Sequence, residues 1–189
     1  KVAVTLRWFV VLCATWSLLV HAGSARMSLE LPSGLTAESD YWPGEADRPA
    51  ILILHGFLQT REFPTVRRLA EALADQGHSV LLPSLTLGLD RRRQGVGCEA
   101  IHTHSIEDDV NELARWVDWL DRRTGKPPVV IGHSTGGIQL MALLASQPDL
   151  AVEQALFISL TDFNEPGDGD GRRPAGNQPR RGVPEQRPR

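Results

Sequence analysis

Residues 132–136, which read Gly-His-Ser-Thr-Gly, constrain the fold of this chain more than any other segment. They follow an apolar run at 128–131 and precede an apolar stretch at 138–145. A turn that passes from strand to helix in so few residues needs small flanking residues, and it strains the backbone of the residue at its centre. The pattern therefore predicts that the hydroxyl of Ser134 is exposed at a strand end, where it can act as a nucleophile.

Apolar runs alternate with helical spacings through the rest of residues 26–162. The predicted strands are 50–54, 79–82 (ended by Pro83), 128–131 and 155–160, with earlier pieces at 28–31 and 36–42 around a turn at 32–34; the predicted helices are 63–76, 138–145 and one that starts at Ser105 with Asp108 in a capping box. This order predicts the α/β class: a mostly parallel, doubly wound sheet with helices on both faces. Such sheets bind ligands beyond the carboxyl ends of their strands.

A second loop, His55-Gly56-Phe57, follows the predicted strand 50–54. The two loops and the order of elements resemble the alpha/beta hydrolase superfamily, in its esterase- and lipase-like serine hydrolases, over about residues 29–160. The resemblance implies that the backbone N–H groups of Phe57 and Thr135 form an oxyanion hole. It also implies that His55, Gly56 and His133 border the substrate pocket, and for His55 itself we favour a packing role with hydrogen bonds to the loop backbone.

The resemblance also implies an acid and then a histidine after the nucleophile, the histidine taking the serine proton. The six histidines are residues 21, 55, 78, 102, 104 and 133, and none follows Ser134. Asp162 is the candidate acid, with an ordinary loop residue as the alternative. His102 or His104 as a substitute base, and a metal site within residues 98–104, are further alternatives to simple loop packing. We therefore expect weak or no activity from this chain, and neither a metal nor a cofactor.

The N-terminal residues 1–25 have the order of a secretory signal peptide. Basic residues precede an uncharged, mostly apolar run at 8–20, and small residues follow it, so that cleavage after Ala22 or Ala25 fits. The run is shorter than the roughly 20 residues of a membrane span, although an uncleaved anchor or a buried helix are alternatives. The sequence thus predicts an exported protein with no stable membrane span after cleavage, and with Cys98 as its single cysteine.

Residues 163–189 form a tail rich in Gly, Pro and Arg that has almost no aliphatic side chains. Such a composition predicts disorder, because it cannot bury enough apolar surface to offset chain entropy. A solvated tail is favoured over an RNA- or membrane-binding one. The switch to residues with GC-rich codons directly after a predicted strand suggests a truncation or frameshift, so residues 26–162 are expected to be a partial domain.

The preferred interpretation is an exported serine hydrolase scaffold that acts on a small ester or lipid-like molecule through Ser134. The alternatives are a non-catalytic binding module on the same fold and an acyltransferase. The net charge of −3 gives no basic field of the kind that nucleic-acid binding requires. The oligomeric state is not predicted.

Overall fold

The computed structural model describes residues 23–97, 99, 101 and 103–160, in which strands and helices alternate. The strands are β1 (Ala25–Glu30), β2 (Thr36–Trp42), β3 (Ala50–Leu54), β4 (Ser79–Ser84), β5 (Val129–His133) and β6 (Gln154–Ile158), and the helices are α1 (Pro64–Asp75), α2 (Ile106–Thr124) and α3 (Thr135–Ser146). Each predicted strand and helix is thus present, with small differences in its ends.

The six strands form one sheet in the order β1-β2-β4-β3-β5-β6. Strands β1 and β2 form an antiparallel hairpin, and β2 pairs antiparallel with β4. Strands β4, β3, β5 and β6 run parallel to one another. The predicted mostly parallel sheet is therefore confirmed. Because Leu54 pairs with Gly132 in the parallel ladder of β3 and β5, the loops that follow these two strands leave the sheet side by side.

Helices cover both faces of the sheet, as the alternation predicts. Helix α1 packs Val66 and Ala70 onto one face, in the cluster that contains Ile53. Helices α2 and α3 pack onto the other face, where Leu113 and Leu140 share a cluster with Leu52 and Leu54 of β3. The central strands are buried on both faces, which explains why they read as continuous apolar runs and not as alternating ones.

Strand β4 does not end at Pro83 as the sequence predicts, but continues to Ser84. Its parallel pairing with β3 reaches only Leu81, and beyond that residue it pairs with β2 alone, with Pro83 opposite Ser39. Proline lacks the N–H that a central strand needs on its second side. Pro83 fits here because the strand has become an edge at this point.

The second helix begins with the predicted capping box. The Oγ of Ser105 accepts a hydrogen bond from the Asp108 amide at 3.1 Å, and the Asp108 carboxylate accepts one from the Ser105 amide at 2.9 Å. The Ser105 hydroxyl also donates to the Asp108 carboxylate at 2.8 Å, and this bond together with that from the Ser105 amide holds the pKa of Asp108 below its usual value. The helix ends on Gly125 in the left-handed conformation, with φ of 72°.

Several of the sequence predictions fall outside the described residues. They are most of the signal segment, Cys98, His102, the candidate acid Asp162 and the tail at 163–189. Within the described part of the chain, none of the helices combines the length and the apolar character needed to cross a membrane.

Candidate active site

Ser134 occupies the turn between β5 and α3 with φ of 54° and ψ of −125°. A positive φ is unfavourable for a residue with a Cβ, and it persists only where the surroundings impose it. Two backbone bonds do so here: the Ser134 amide donates to the carbonyl of Ile158 at 2.8 Å, and the Gly137 amide donates to the carbonyl of Ser134 at 2.8 Å. The strained conformation expected from the sequence is therefore present at the serine.

The glycines on either side of Ser134 allow backbone segments to touch. A Cβ on Gly132 would lie 2.6 Å from the N and Cα atoms of Gly137, and a Cβ on Gly136 would lie 2.3 Å from the carbonyl oxygen of His55. Neither contact is possible for a residue with a side chain. The first glycine lets β5 turn directly into α3, and the second lets α3 approach the loop after β3.

That loop lies directly against the turn. A Cβ built on Gly56 would be 3.3 Å from the Cβ of Ser134, and Phe57 follows with a largely exposed side chain. Thr135 is the first residue of α3, where backbone N–H groups have no acceptor within the helix. Phe57 and Thr135 both line a cavity of 190 Å³, so the fold brings the two predicted oxyanion donors to one space.

His55 borders this cavity, but its ring serves the loop. Its Nδ1 lies 2.9 Å from the carbonyl oxygen of Gly56, while its Nε2 lies 3.3 Å from the amide of Leu85 and 3.3 Å from Nη2 of Arg92. Since both of those neighbours are donors, Nε2 accepts and Nδ1–H donates. Burial lowers the pKa of His55 to about 4, which keeps the ring neutral and in this arrangement.

His133 is placed differently from the other predicted pocket residues. Its ring packs at 6.1 Å from the ring of Phe63, and it is not among the described residues that line the 190 Å³ cavity. Its Nδ1 is buried and makes no hydrogen bond to any described residue. The structure thus brings His55 and Gly56 to the cavity, and it places Nδ1 of His133 3.3 Å from the position of a Cβ on Gly56.

Two polar residues of the cavity wall, Asp109 and Gln139, were not predicted from the sequence as site residues. Asp109 is buried, and its carboxylate bonds to Nδ1 of His104 at 2.9 Å and accepts from Nε2 of Gln139 at 2.7 Å. Burial raises the pKa of Asp109, against the influence of His104 and Gln139. In the sequence, Asp109 is one of three acids in the first turn of α2, and only its effect on the helix dipole is readable.

The role of Arg92 was not predicted from the sequence either, because this residue lies in a run of three arginines that is typical of a solvated loop. The structure buries it beneath the loop after β3, where it donates to the carbonyls of Leu85 at 2.6 Å and Gln59 at 2.7 Å. Burial lowers the pKa of Arg92 to about 10, so the side chain stays charged at neutral pH. With His55 it joins the loops that follow β3 and β4.

Glu112 of α2 fixes the loop after β4 from the other side. Its carboxylate accepts from the Thr86 amide at 2.9 Å and from the Thr86 hydroxyl at 2.6 Å. Burial raises the pKa of Glu112 to about 7, although the bonds from Thr86 favour the charged form. Its signal in the sequence is weak, since a glutamate in a helix is ordinarily solvated.

The fold is an α/β scaffold with a strained serine between a strand and a helix, and comparison with known proteins identifies its family. The sequence matches the alpha/beta hydrolase family over residues 51–189, more than half of its length, and the chain belongs to that family. Among curated proteins, none matches it significantly.

Solved structures with the same fold include three that illustrate its range. An alpha/beta hydrolase from Penicillium sp. sh18 is 18% identical with a TM-score of 0.58, and the alignment covers 72% of this chain and 45% of the Penicillium chain. A cold-adapted esterase from an Arctic intertidal metagenomic library is 22% identical with a TM-score of 0.53, and the alignment covers 71% of this chain and 59% of the esterase. A dienelactone hydrolase from Anabaena variabilis is 20% identical with a TM-score of 0.56, and the alignment covers 72% of this chain and 63% of the Anabaena chain. The chain thus spans about half the length of the structures that it resembles.

Proposed function

We propose that this chain carries the nucleophile and oxyanion half of a serine hydrolase that cleaves a small carboxylic ester or a lipid-like ester. The observation that carries the proposal is the backbone of Ser134, whose positive φ places a half-buried serine where the loop after β3 meets the start of α3. A strained residue at such a point is characteristic of functional sites. Membership of the hydrolase family supports the same reaction class.

In the proposed reaction, Oγ of Ser134 attacks the ester carbonyl carbon, and the carbonyl oxygen becomes an oxyanion. The amides of Phe57 and Thr135 donate to that oxygen. The C–O bond to the alcohol then breaks, the alcohol leaves with a proton, and an acyl-serine ester remains until water hydrolyses it. Removing a single donor of this kind costs about 2.7–4 kcal/mol of barrier in known cases.

The serine proton needs an acceptor, which hydrolases of this kind place after the nucleophile in the chain. No histidine follows Ser134 in the 189 residues. We therefore propose that this chain by itself acylates slowly, with Asp162 as its candidate acid. The second candidate function is a binding module that retains the hydrolase fold without turnover.

A base-rescue experiment tests the proposal. The chain is mixed with p-nitrophenyl butanoate with and without free imidazole, and the protein mass is followed together with p-nitrophenol release. We expect an acyl adduct on Ser134 that forms faster with imidazole, because imidazole can accept the serine proton. Ser134→Ala reports the background reaction, and Ser146→Ala, near the exposed end of the same helix, should behave like the wild type.

The outcomes separate the candidate functions. Absence of an adduct in both conditions, with the fold intact by circular dichroism, would contradict the hydrolase proposal and favour the binding module. Release of a new ester when a short alcohol is added would instead indicate an acyltransferase. An adduct that hydrolyses to the free acid supports the hydrolase.

Export is a separate proposal, which depends on the order of charges, apolar residues and small residues in residues 1–25. Strand β1 begins at Ala25, which pairs with Tyr41 of β2. Cleavage after Ala22 preserves the whole strand, whereas cleavage after Ala25 removes its first residue, so we propose the former. Expression in a bacterium and N-terminal sequencing of the periplasmic fraction test this, and an intact N-terminus would contradict it.

A further inference from the structure

Two cavities meet at one side chain in the described part of the chain. The smaller, of 190 Å³, lies against the serine turn and is lined by Phe57 and Thr135. The larger, of 810 Å³, is a groove between the β1–β2 turn and the outer side of α2. Among the described residues, His104 is the one that lines both.

The wall between the cavities consists of two chain segments that pack closely. In the loop after β4, Leu87 faces the smaller cavity while its neighbours Thr86 and Gly88 face the groove. Gly88 has φ of 82°, and a Cβ on it would lie 2.3 Å from Oγ1 of Thr103. The segment that precedes α2 is thus pressed against this loop, and His104 extends the wall next to that contact.

His104 is held in the wall by a buried partner. The Asp109 carboxylate, with 4% of the side chain exposed, lies 2.9 Å from Nδ1 of His104 and is itself fixed by Gln139 of α3. A ring anchored at one nitrogen to a buried carboxylate has a defined orientation. The wall is therefore closed by a positioned side chain and not by backbone alone.

One side of the groove is apolar, and most of the rest of its lining is polar and includes Thr86 and Glu112. Leu29, Leu31 and Leu35 of the β1–β2 hairpin form an apolar side, and charged residues of α2 such as Arg115 and Asp118 form the outer rim. An alkyl chain can lie on the leucines while the charged rim remains in water. The smaller cavity alone is below the roughly 300–1,000 Å³ of sites that take larger ligands.

We propose that His104 determines the length of the acyl group that this protein accepts. The inference rests on the proposed ester substrate. With the carbonyl at Phe57 and Thr135, the acyl chain enters the smaller cavity and stops at His104, so short acyl groups fit. Loss of the ring joins the cavity to the groove, and long straight-chain acyl groups then extend onto the leucines.

Binding measured without chemistry tests this. In a Ser134→Ala background, which removes the hydroxyl, calorimetry gives the affinity for methyl butanoate and for methyl decanoate. We expect butanoate to bind more tightly, and the added change His104→Ala to strengthen decanoate binding about tenfold, or about 1.4 kcal/mol, with little change for butanoate. His104→Gln keeps most of the volume and a donor toward Asp109, and Arg122→Ala alters only the groove, so both should keep the original preference.

An unchanged ratio of the two affinities in His104→Ala, or the same change in His104→Gln, would overturn the inference. Failure of both esters to bind any variant would also overturn it. Because the test needs no reactive serine, its result is distinct from that of the imidazole experiment: acylation of Ser134 with an unchanged length preference would leave the proposed function standing and remove the role of His104.

Discussion

The α-carbon of Gly136 lies so close to the carbonyl oxygen of His55 that a Cβ there would be only 2.3 Å away. This contact joins the first turn of α3, which follows Ser134, to the loop that supplies Phe57. The spacing between Ser134, the proposed nucleophile, and Phe57, the proposed oxyanion donor, therefore depends on residue 136 having no side chain. It also explains why the second glycine of the motif is a steric requirement of the site as well as of the turn.

Gly136→Ala is expected to push the two loops apart. Inserting a methyl group against fixed backbone typically costs about 1–3 kcal/mol, so the free energy of unfolding should fall by that amount. Urea denaturation measures it. Gly97→Ala is the matched control, because a Cβ there meets no atom of the described residues within 4 Å, and it should change stability by less than about 0.5 kcal/mol. Equal stability of the two variants would contradict the contact.

Glu112→Gln is expected to remove a pH dependence of stability. Burial raises the pKa of Glu112 from 4.5 to about 7, so the folded protein holds this proton more tightly than the unfolded chain. The stability from the neutral carboxyl is therefore complete below pH 4.5 and is lost as the pH rises through about 7. Urea denaturation across this range should show the variant gaining stability relative to the wild type. Parallel curves of stability against pH for Glu112→Gln and the wild type would contradict this prediction. The same gain in Glu107→Gln, at an exposed site, would also contradict it.

His55→Gln is expected to reduce the loss of folding stability at acid pH. Burial lowers the pKa of His55 from 6.5 to about 4, so the stability that the neutral ring contributes is present above pH 6.5 and is lost as the pH falls through about 4. Glutamine can accept from Leu85 and donate to Gly56 without titrating. The acid loss of stability should be smaller in this variant than in the wild type, and His78→Gln should not reproduce the effect. A wild-type acid profile in His55→Gln would show that another group is responsible.

Arg61 anchors the far end of the loop after β3, and its removal is expected to be severe. It is buried, with Nη2 at 3.2 Å from Glu38 and Nε at 3.2 Å from Asp40. Arg61→Met leaves those buried carboxylates without their buried cation, which typically costs about 3–5 kcal/mol. Thermal and urea unfolding measure the loss, and Arg68→Met on the exposed side of α1 is the control. A loss below about 1 kcal/mol would mean that solvent or exposed arginines replace the ion pair.

The sequence predicted the strands, the helices and the serine turn because each depends on local patterns. A few neighbouring residues suffice to predict the buried strand β3, the capping box at Ser105 and the tight turn at Ser134. The polar groups around the site could not be predicted in the same way. Arg92 and Asp109 lie in charged surroundings in the sequence, and only the packing of separate segments reveals that they are buried.

Pro83 shows the same limit within a strand. A proline ends a central strand that has partners on both sides, and the sequence does not reveal that β3 stops pairing with β4 at Leu52 while it continues to pair with β5. The ring of His133 packs at 6.1 Å from the ring of Phe63, a contact that only the packing of separate segments reveals, and its place in the pocket stays a prediction.

The most direct test of the central claim, that Ser134 is a nucleophile, is labelling with a fluorophosphonate followed by peptide mass spectrometry. The folded chain should acquire one phosphonyl group on Ser134, faster than the urea-unfolded chain, while Ser134→Ala acquires none and Ser146→Ala is labelled like the wild type. Absence of labelling in the folded chain, or labelling that persists in Ser134→Ala, would contradict the claim.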